Sequence, residues 1–151
     1  MDITTYCHLG KQENWSDEAS ASVAKIIGNL KIRIRAGCSA QLREAILKEI
    51  STKGWSSKVK LSHSSQISIT AINGEQALCL QTGNMSRFYA DLLKLQYLYQ
   101  KGNIKSAIYI LPTKRVARIM GSNLAHFERL VDELKLFEQV ITIPIFVIGI
   151  N

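Results

Sequence analysis

The side chains best placed for chemistry lie in residues 66–84, which read QISITAINGEQALCLQTGN. Thr70 contributes a hydroxyl group, Cys79 a thiol and Gln81 an amide. None of these groups has a fixed negative charge at neutral pH, because an unperturbed thiol is mostly protonated there. A hard cation such as Mg²⁺ needs oxygen ligands, usually carboxylates held in fixed geometry. Glu75 is the one acid in this stretch, so the stretch predicts no ordinary metal site.

The same residues are predicted to form a β-hairpin. Two alternating runs flank Asn73-Gly74, a dipeptide that favours a tight turn because both residues tolerate positive φ. Gly83-Asn84 ends the return strand, and a helix is predicted from Arg87 to Lys101, where apolar residues recur at helical spacing. The hydroxyl, thiol and amide are therefore expected on paired strands directly before a helix.

Length and charge define the broad class of the protein. The chain has 151 residues and is 46% hydrophobic, which is enough for one domain, residues 1–151, with a core that needs no disulfides or metals. Lys and Arg outnumber Asp and Glu by 19 to 12, and the isoelectric point is near 9.5. This excess favours a polyanionic partner such as nucleic acid. The alternative is an ordinary basic surface without such a partner.

The cysteines and histidines do not form a recognisable site. Three widely spaced cysteines argue against a disulfide framework and favour a reducing cytoplasm. No CxxC or HxxxH zinc spacing is present. A nucleophilic Cys79 would need a histidine base, and the sequence pairs it with neither His63 nor His126. No signal peptide is expected at the amino terminus, and the longest apolar run is interrupted by Pro144, so no membrane association is expected.

The remaining elements are predicted from periodicity and caps. A short edge strand or irregular segment is expected at the start of the chain. Strands alternating with long helices imply an α/β mixed sheet with helices on both faces. Helices are predicted over Trp15 to Leu30 with Ser16 as N-cap, from Ser39 to Gly54, and after a cap at Ser122 or Asn123; further strands are predicted over 31–35, 58–61, 106–111 and 140–150.

Several basic and amide side chains are candidates for nucleic-acid contacts. The KIRIR segment, 31–35, puts its cations on one face of a predicted strand, and a basic loop is predicted after Pro112. Such cations either contact phosphates or are simply solvated, while amides suit polar contacts near a groove. The candidates are Arg33, Arg35, Lys114, Arg115 and Arg118 for phosphates, with Asn84 and Asn123 for polar contacts.

The order of elements, with MDITTY at the start, ALCLQTGN in the return strand and FVIGI at the end, resembles BglII-type restriction endonucleases of the PD-(D/E)xK nuclease superfamily. In that family an Asp in the first hairpin strand, an acid nine positions later and a Gln or Lys two beyond it hold the metal and the attacking water. The matching positions here are Thr70, Cys79 and Gln81, of which only Gln81 agrees. The resemblance implies a restriction-endonuclease-like fold and DNA binding more than DNA cleavage, with no cofactor expected.

Three functions remain open at this point. The first is a catalytically degenerate protein that binds DNA or a nuclease partner, expected as a homodimer through its third or fourth predicted helix. The second is an active, Mg²⁺-dependent type II restriction endonuclease of a restriction-modification system, in which Glu44 or Glu49 supplies a migrated acid. The third is a non-enzymatic inhibitor or immunity-type protein that pairs with an active relative.

Overall fold

The computed structural model describes residues 1–10, 18–64 and 66–151, and it is a mixed α/β fold as predicted. The strands are β1 (Ile3–His8), β2 (Val59–Lys60), β3 (Ser68–Ile69), β4 (Ala71–Asn73), β5 (Gln76–Leu80), β6 (Ser106–Pro112) and β7 (Ile145–Ile150). The helices are α1 (Glu18–Asn29), α2 (Ser39–Ser51), α3 (Arg87–Gln100), α4 (Lys114–Met120) and α5 (Phe127–Leu136). Five strands form the main sheet in the order β1-β7-β6-β5-β4, and β2 pairs with β3 separately.

The centre of the main sheet is parallel. β5, β6 and β7 run in the same direction, with Leu78 opposite Ile108 and Ile108 opposite Phe146. β1 and β4 close the two edges as antiparallel strands. Every residue of β5 and β7 is buried, as expected for strands covered on both faces. Because the three central strands are parallel, their carboxyl ends all lie at the same end of the sheet.

Two apolar layers form the core, one on each face of the sheet. Successive strand residues point to opposite faces, so Ile108 and Tyr109 of β6 belong to different layers. On one face Ile46 of α2 and Val116 of α4 pack into the layer of Ile108. On the other face Leu95 of α3 packs into the layer of Tyr109. The predicted covering of both faces by helices is confirmed.

The predicted hairpin forms, but its turn lies one residue later and its first strand is interrupted. Asn73 pairs with Gln76, so the turn is Gly74-Glu75. Gly74 has a φ of 55° whereas Glu75 has no positive φ, and glycine takes this conformation at the least cost. Before Thr70 the chain pairs with β2, and after it the chain pairs with β5. Thr70 therefore lies between two sheets.

The predicted strand over residues 31–35 is absent. Ile32 and Ile34 are half-buried and pack against the core, while Arg33 and Arg35 are exposed. The alternation is thus real, but the segment pairs with no strand in the described part of the chain. Its periodicity reflects packing of the two isoleucines rather than a hydrogen-bonded ladder.

The basic segment after Pro112 is a helix and not the predicted loop. α4 buries Val116, Ala117 and Met120, and residues spaced in this way share one helical face. The stripe is short because the helix has seven residues. The cations Lys114, Arg115 and Arg118 are exposed on the other face of this helix.

Two predicted helix caps are wrong. Cys38, and not Ser39, occupies the N-cap position of α2, and no side chain caps that end. α5 begins later than predicted, and the His126 ring accepts a hydrogen bond from a backbone N–H of its first turn. His126 therefore performs the capping role that was predicted for Ser122 or Asn123.

The predicted cap Ser16 lies outside the described residues. The three cysteines are free, as their spacing indicated. Among the helices of the described residues, none combines the length and the apolar character needed to cross a membrane.

Gly149 of β7 is predicted to tolerate no larger residue. A Cβ at this position would lie 2.7 Å from Cγ2 of Thr4 and 2.8 Å from Cγ of Phe127. Gly149→Ala is expected to lower the free energy of unfolding by about 1–3 kcal/mol, because the packed layers must move apart. Urea titration followed by circular dichroism measures this loss.

Gly121→Ala is the matched control. Gly121 has an extended φ of 167°, and a Cβ there would contact only Cδ1 of Leu124, at 3.8 Å. This variant should unfold within about 0.5 kcal/mol of the original protein. Equal losses in the two variants would contradict the packing argument.

Candidate nucleic-acid interface

A cleft of about 490 Å³ opens at the carboxyl end of β5. Its walls come from residues 80–83, from the strand break at Thr70, and from side chains of α2 and α3. Open α/β sheets commonly bind ligands at the carboxyl ends of their strands. Thr70 and Gln81, two of the three residues singled out in the sequence, line this cleft, whereas Cys79 is buried and does not.

Asp91 of α3 organises the hydrogen bonds at the cleft. Its Oδ2 atom accepts hydrogen bonds from Gln81 Nε2 at 2.7 Å and from the Tyr109 hydroxyl at 3.0 Å. Its Oδ1 atom accepts a hydrogen bond from Lys94 Nζ at 2.9 Å. The carboxylate is thus bound by donors from the end of β5, from β6 and from its own helix.

The sequence interpretation missed Asp91, although the pattern of α3 contains a signal for it. Asp91 lies three residues after Phe88 and four before Leu95, both of which are buried. Residues at these separations share a helical face. An acid within an apolar stripe is rare unless it is paired, so its position predicts a buried partner, but not which partner.

Thr70 and Gln81 already have hydrogen-bond partners. The Thr70 hydroxyl oxygen accepts a hydrogen bond from the Leu80 backbone N–H at 3.2 Å. The Gln81 side chain donates to Asp91 through Nε2 and accepts from the Gly83 N–H through Oε1, at 3.0 Å. Both side chains therefore hold the end of β5 in place.

Burial favours the protonated forms of the Cys79 thiol and the Tyr109 hydroxyl, which lie beneath the cleft. Desolvation, with a smaller contribution from the charge of Asp91, raises the pKa of the Cys79 thiol well above its ordinary value. The same two causes raise the pKa of Tyr109. The thiolate is the nucleophilic and metal-binding form of cysteine, and no histidine lines the described cleft. Cys79 is therefore unsuited to nucleophilic catalysis.

The cleft offers a Mg²⁺ ion one carboxylate. Mg²⁺ sites in proteins usually combine one or two carboxylates with oxygens of water or of a bound phosphate. Asp91 is the single acid that lines the described cleft, and both of its oxygens accept hydrogen bonds. Within the described residues, no group of three or more His, Cys, Asp and Glu side chains is placed to hold a metal ion.

The cleft carries an excess of positive charge. Arg43, Lys58, Arg87 and Lys94 line it together with the single carboxylate of Asp91. Arg43 also donates a hydrogen bond to the Leu80 backbone oxygen, which fixes α2 against the end of β5. Clefts lined by one sign of charge concentrate ligands of the opposite sign, so this arrangement favours an anion.

The acids predicted to have migrated do not reach the cleft. Glu44 is exposed on α2 and does not line the cleft, although it lines a neighbouring depression together with Lys48 and Arg43. Glu49 is exposed in the groove between α1 and α2, where Lys25 and Lys53 also lie. α2 directs Arg43 to the cleft instead, because residues on one helix turn point in different directions.

A shallow groove next to the cleft gathers several of the predicted nucleic-acid contacts. Lys114, Arg118 and Asn123 line it together with Met85. Gly83 and Arg87 line the cleft, and Met85, which lies between them in the chain, lines the groove. The cleft and the groove are therefore adjacent.

The other predicted contacts lie outside these two depressions. Asn84 is exposed and forms a β-bridge with Leu124, which lines the groove. Arg35 lies in a segment joined to the end of α4 by the hydrogen bond from the Gly37 N–H to the Met120 oxygen. Arg33 and Arg115 are exposed and line neither depression.

A mixed sheet covered by helices on both faces, with a polar cleft beside its hairpin, defines a restriction-endonuclease-like protein. The family model of restriction endonuclease BglII/BglIII matches residues 12–150. The chain belongs to this family, which confirms the family predicted from the sequence.

Two solved structures are similar to the whole of this chain. Restriction endonuclease BglII complexed with a DNA 16-mer has a TM-score of 0.89 at 12% sequence identity, over 78% of its own chain. Free BglII has a TM-score of 0.80 at 13% identity, over 80% of its chain. No curated protein sequence matches this one. At such low identities the structures demonstrate a shared fold.

The Tyr109 hydroxyl is expected to contribute to stability through Asp91. Tyr109→Phe removes one of three donors to a largely buried carboxylate, so it should lower the free energy of unfolding by about 1 kcal/mol. Tyr99→Phe is the control, because the Tyr99 hydroxyl has no hydrogen-bond partner in the described structure, and it should change stability by less than about 0.5 kcal/mol. Urea denaturation of both variants tests the difference, and equal stabilities would refute this role of the hydroxyl.

Proposed function

We propose that this protein binds duplex DNA through the cleft and the adjoining groove, and that it does not cleave the DNA. The observation that carries this proposal is the charge of the cleft, where four cations accompany one carboxylate whose oxygens already accept hydrogen bonds. Phosphates of the DNA backbone are the natural ligands of such a surface. The complex of the related BglII with a DNA 16-mer supports the same class of ligand.

The proposed loss of catalysis follows from the groups at the family's metal-binding positions. Metal-assisted hydrolysis requires an ion that activates water and stabilises the developing charge. Thr70 offers a hydroxyl that is engaged with Leu80, and Cys79 offers a buried, protonated thiol. Neither group replaces a carboxylate ligand. No metal cofactor is therefore part of this proposal.

The proposed DNA contacts extend beyond the cleft. Lys114 and Arg118 in the groove are suited to phosphates on the same strand or the opposite one, and Asn123 to a polar contact. Arg33, Arg35, Arg115 and Asn84 are exposed, and we assign them to the same proposed surface. Such contacts fix the position of DNA without reading its sequence.

An active endonuclease is the second candidate, and the position of Asp91 is the observation that favours it. Its carboxylate lies 2.7 Å from the amide of Gln81, the one position that agrees with the family pattern. Asp91 replaces Glu44 and Glu49 as the acid to test. Cleavage of mixed duplex DNA with Mg²⁺ or Mn²⁺, abolished by Asp91→Asn, would establish this candidate and refute the inactive one.

Binding of duplex DNA is expected to weaken steeply with salt. Each neutralised phosphate contributes a slope of about −0.9 to the logarithm of affinity against the logarithm of salt concentration. Lys114→Gln combined with Arg118→Gln should make the slope shallower by roughly two units. Fluorescence anisotropy of a labelled duplex over a range of salt concentrations measures both slopes.

Lys101→Gln combined with Lys105→Gln is the matched control. It removes the same charge from exposed positions between α3 and β6, at the opposite end of the parallel strands, so the slope should not change. A slope near zero for the original protein would remove the electrostatic basis of the proposal. Absence of DNA binding together with co-purification of a nuclease would favour the inhibitor or immunity-type function instead.

We also propose that α3 pairs two copies of the chain. Tyr89, Leu93 and Tyr97 recur at four-residue spacing and are 39%, 64% and 41% exposed. Large exposed apolar side chains in one stripe are typical of interaction surfaces. Ile67, which is 55% exposed, extends the surface, since it shares a groove with Leu93 and Tyr97.

Leu93→Lys is expected to convert a dimer into a monomer, because it buries a charge in the proposed interface. Sedimentation equilibrium measures the change. Leu136→Lys is the control, since Leu136 is 73% exposed on α5 and should leave the dimer intact. A dimer disrupted by the α5 variant alone would place the interface there, and a monomeric original protein would refute the pairing.

A further inference from the structure

We infer that the cleft binds a phosphate group directly, without a divalent cation, and that the ammonium group of Lys94 supplies the positive charge in place of a metal ion. The inference rests on the proposed function, because the phosphate in question belongs to the DNA backbone. It goes further by naming the bound group, the residue that neutralises Asp91 and the independence from metal.

The position of Lys94 is fixed by its ion pair with Asp91. Lys94 and Asp91 are three residues apart on α3, and Lys94 Nζ lies 2.9 Å from Asp91 Oδ1. Asp91 is itself held by Gln81 and Tyr109 through its other oxygen. An ammonium group has three N–H donors, so two remain after the contact with Asp91. The Lys94 side chain is 23% exposed and lines the cleft, where those two donors can meet a ligand.

The charges explain why no divalent ion is required. A lone Asp91 carboxylate would repel a phosphate, and a metal ion that bridges the two anions would remove this repulsion. The Lys94 ammonium already neutralises Asp91. Arg43, Lys58 and Arg87 then leave the cleft with a formal excess of three positive charges. In the described structure, no acidic side chain forms an ion pair with any of these three cations.

The test uses inorganic phosphate and duplex DNA as separate probes. The ¹⁵N-labelled protein is titrated with inorganic phosphate in EDTA while the amide resonances of the cleft residues Thr82 and Gly83 are followed. A fluorescent duplex is titrated by anisotropy in EDTA and in Ca²⁺ at matched ionic strength. The original protein should bind both probes, with the same dissociation constants in EDTA and in Ca²⁺.

Lys94→Met should weaken binding of either probe roughly tenfold at about 0.1 M salt, because one phosphate-contacting cation is lost. Lys94→Arg retains the charge and should retain binding. Lys105→Met is the control, since it removes the same charge from an exposed ion pair, with Glu75 at 2.6 Å, at the far end of β5. This control should bind phosphate and DNA as the original protein does.

The outcomes separate this inference from the proposed function. Absence of DNA binding with Lys94-dependent phosphate binding would refute the proposed function and retain the phosphate site. Affinity that appears only with Ca²⁺, or undiminished phosphate binding by Lys94→Met, would overturn the inference while DNA binding stands. Should Lys94→Met not fold, the comparison of EDTA with Ca²⁺ on the original protein decides the question.

Discussion

The Asp91 carboxylate is the constraint on which the arrangement of the cleft depends. A charged group that is largely buried costs several kcal/mol unless it is paired and hydrogen-bonded. Asp91 has three donors, and they stand on α3, on β6 and at the end of β5. Because Gln81 and Tyr109 lie outside α3, rotation of the helix about its axis would leave the carboxylate with Lys94 as its one remaining donor. The same contacts therefore orient the helix and define one wall of the cleft.

The parallel centre of the sheet determines where the cleft lies. β5, β6 and β7 are parallel, so their carboxyl ends lie at the same end of the sheet. Cations that are far apart in sequence, from Arg43 of α2 to Lys94 of α3, line the cleft at this end of the sheet. Their summed field attracts anions, because the four cations outnumber the single carboxylate of Asp91 that lines the described cleft.

Membership of the BglII/BglIII family and the proposed absence of cleavage are compatible. The structures at 12–13% identity share the fold with this chain, whereas activity depends on a few side chains within a site. The stability of the fold does not require metal ligands, because Thr70 and Gln81 secure the end of β5 by hydrogen bonds. Under the proposed function, the lysine paired with Asp91 gives the cleft a permanent cation that can contact a phosphate group.

The sequence by itself determined the family, the mixed α/β class and the approximate hairpin, helix α3 and strands β6 and β7. These follow from local patterns, namely alternation, helical spacing and the glycine of the turn, which need no knowledge of distant partners. The sequence also singled out Thr70 and Gln81, which line the cleft, and Lys114 and Arg118, which line the groove. The four cations of the cleft were not among its candidates.

Only the tertiary structure decided which side chains meet. It interrupted the hairpin at Thr70, because the residues on either side pair with different strands. It left the 31–35 segment without a strand partner and folded the basic segment after Pro112 into a helix. It placed Asp91 at the cleft and kept Glu44 and Glu49 away from it. Each of these outcomes depends on packing between segments distant in sequence, which no local pattern specifies.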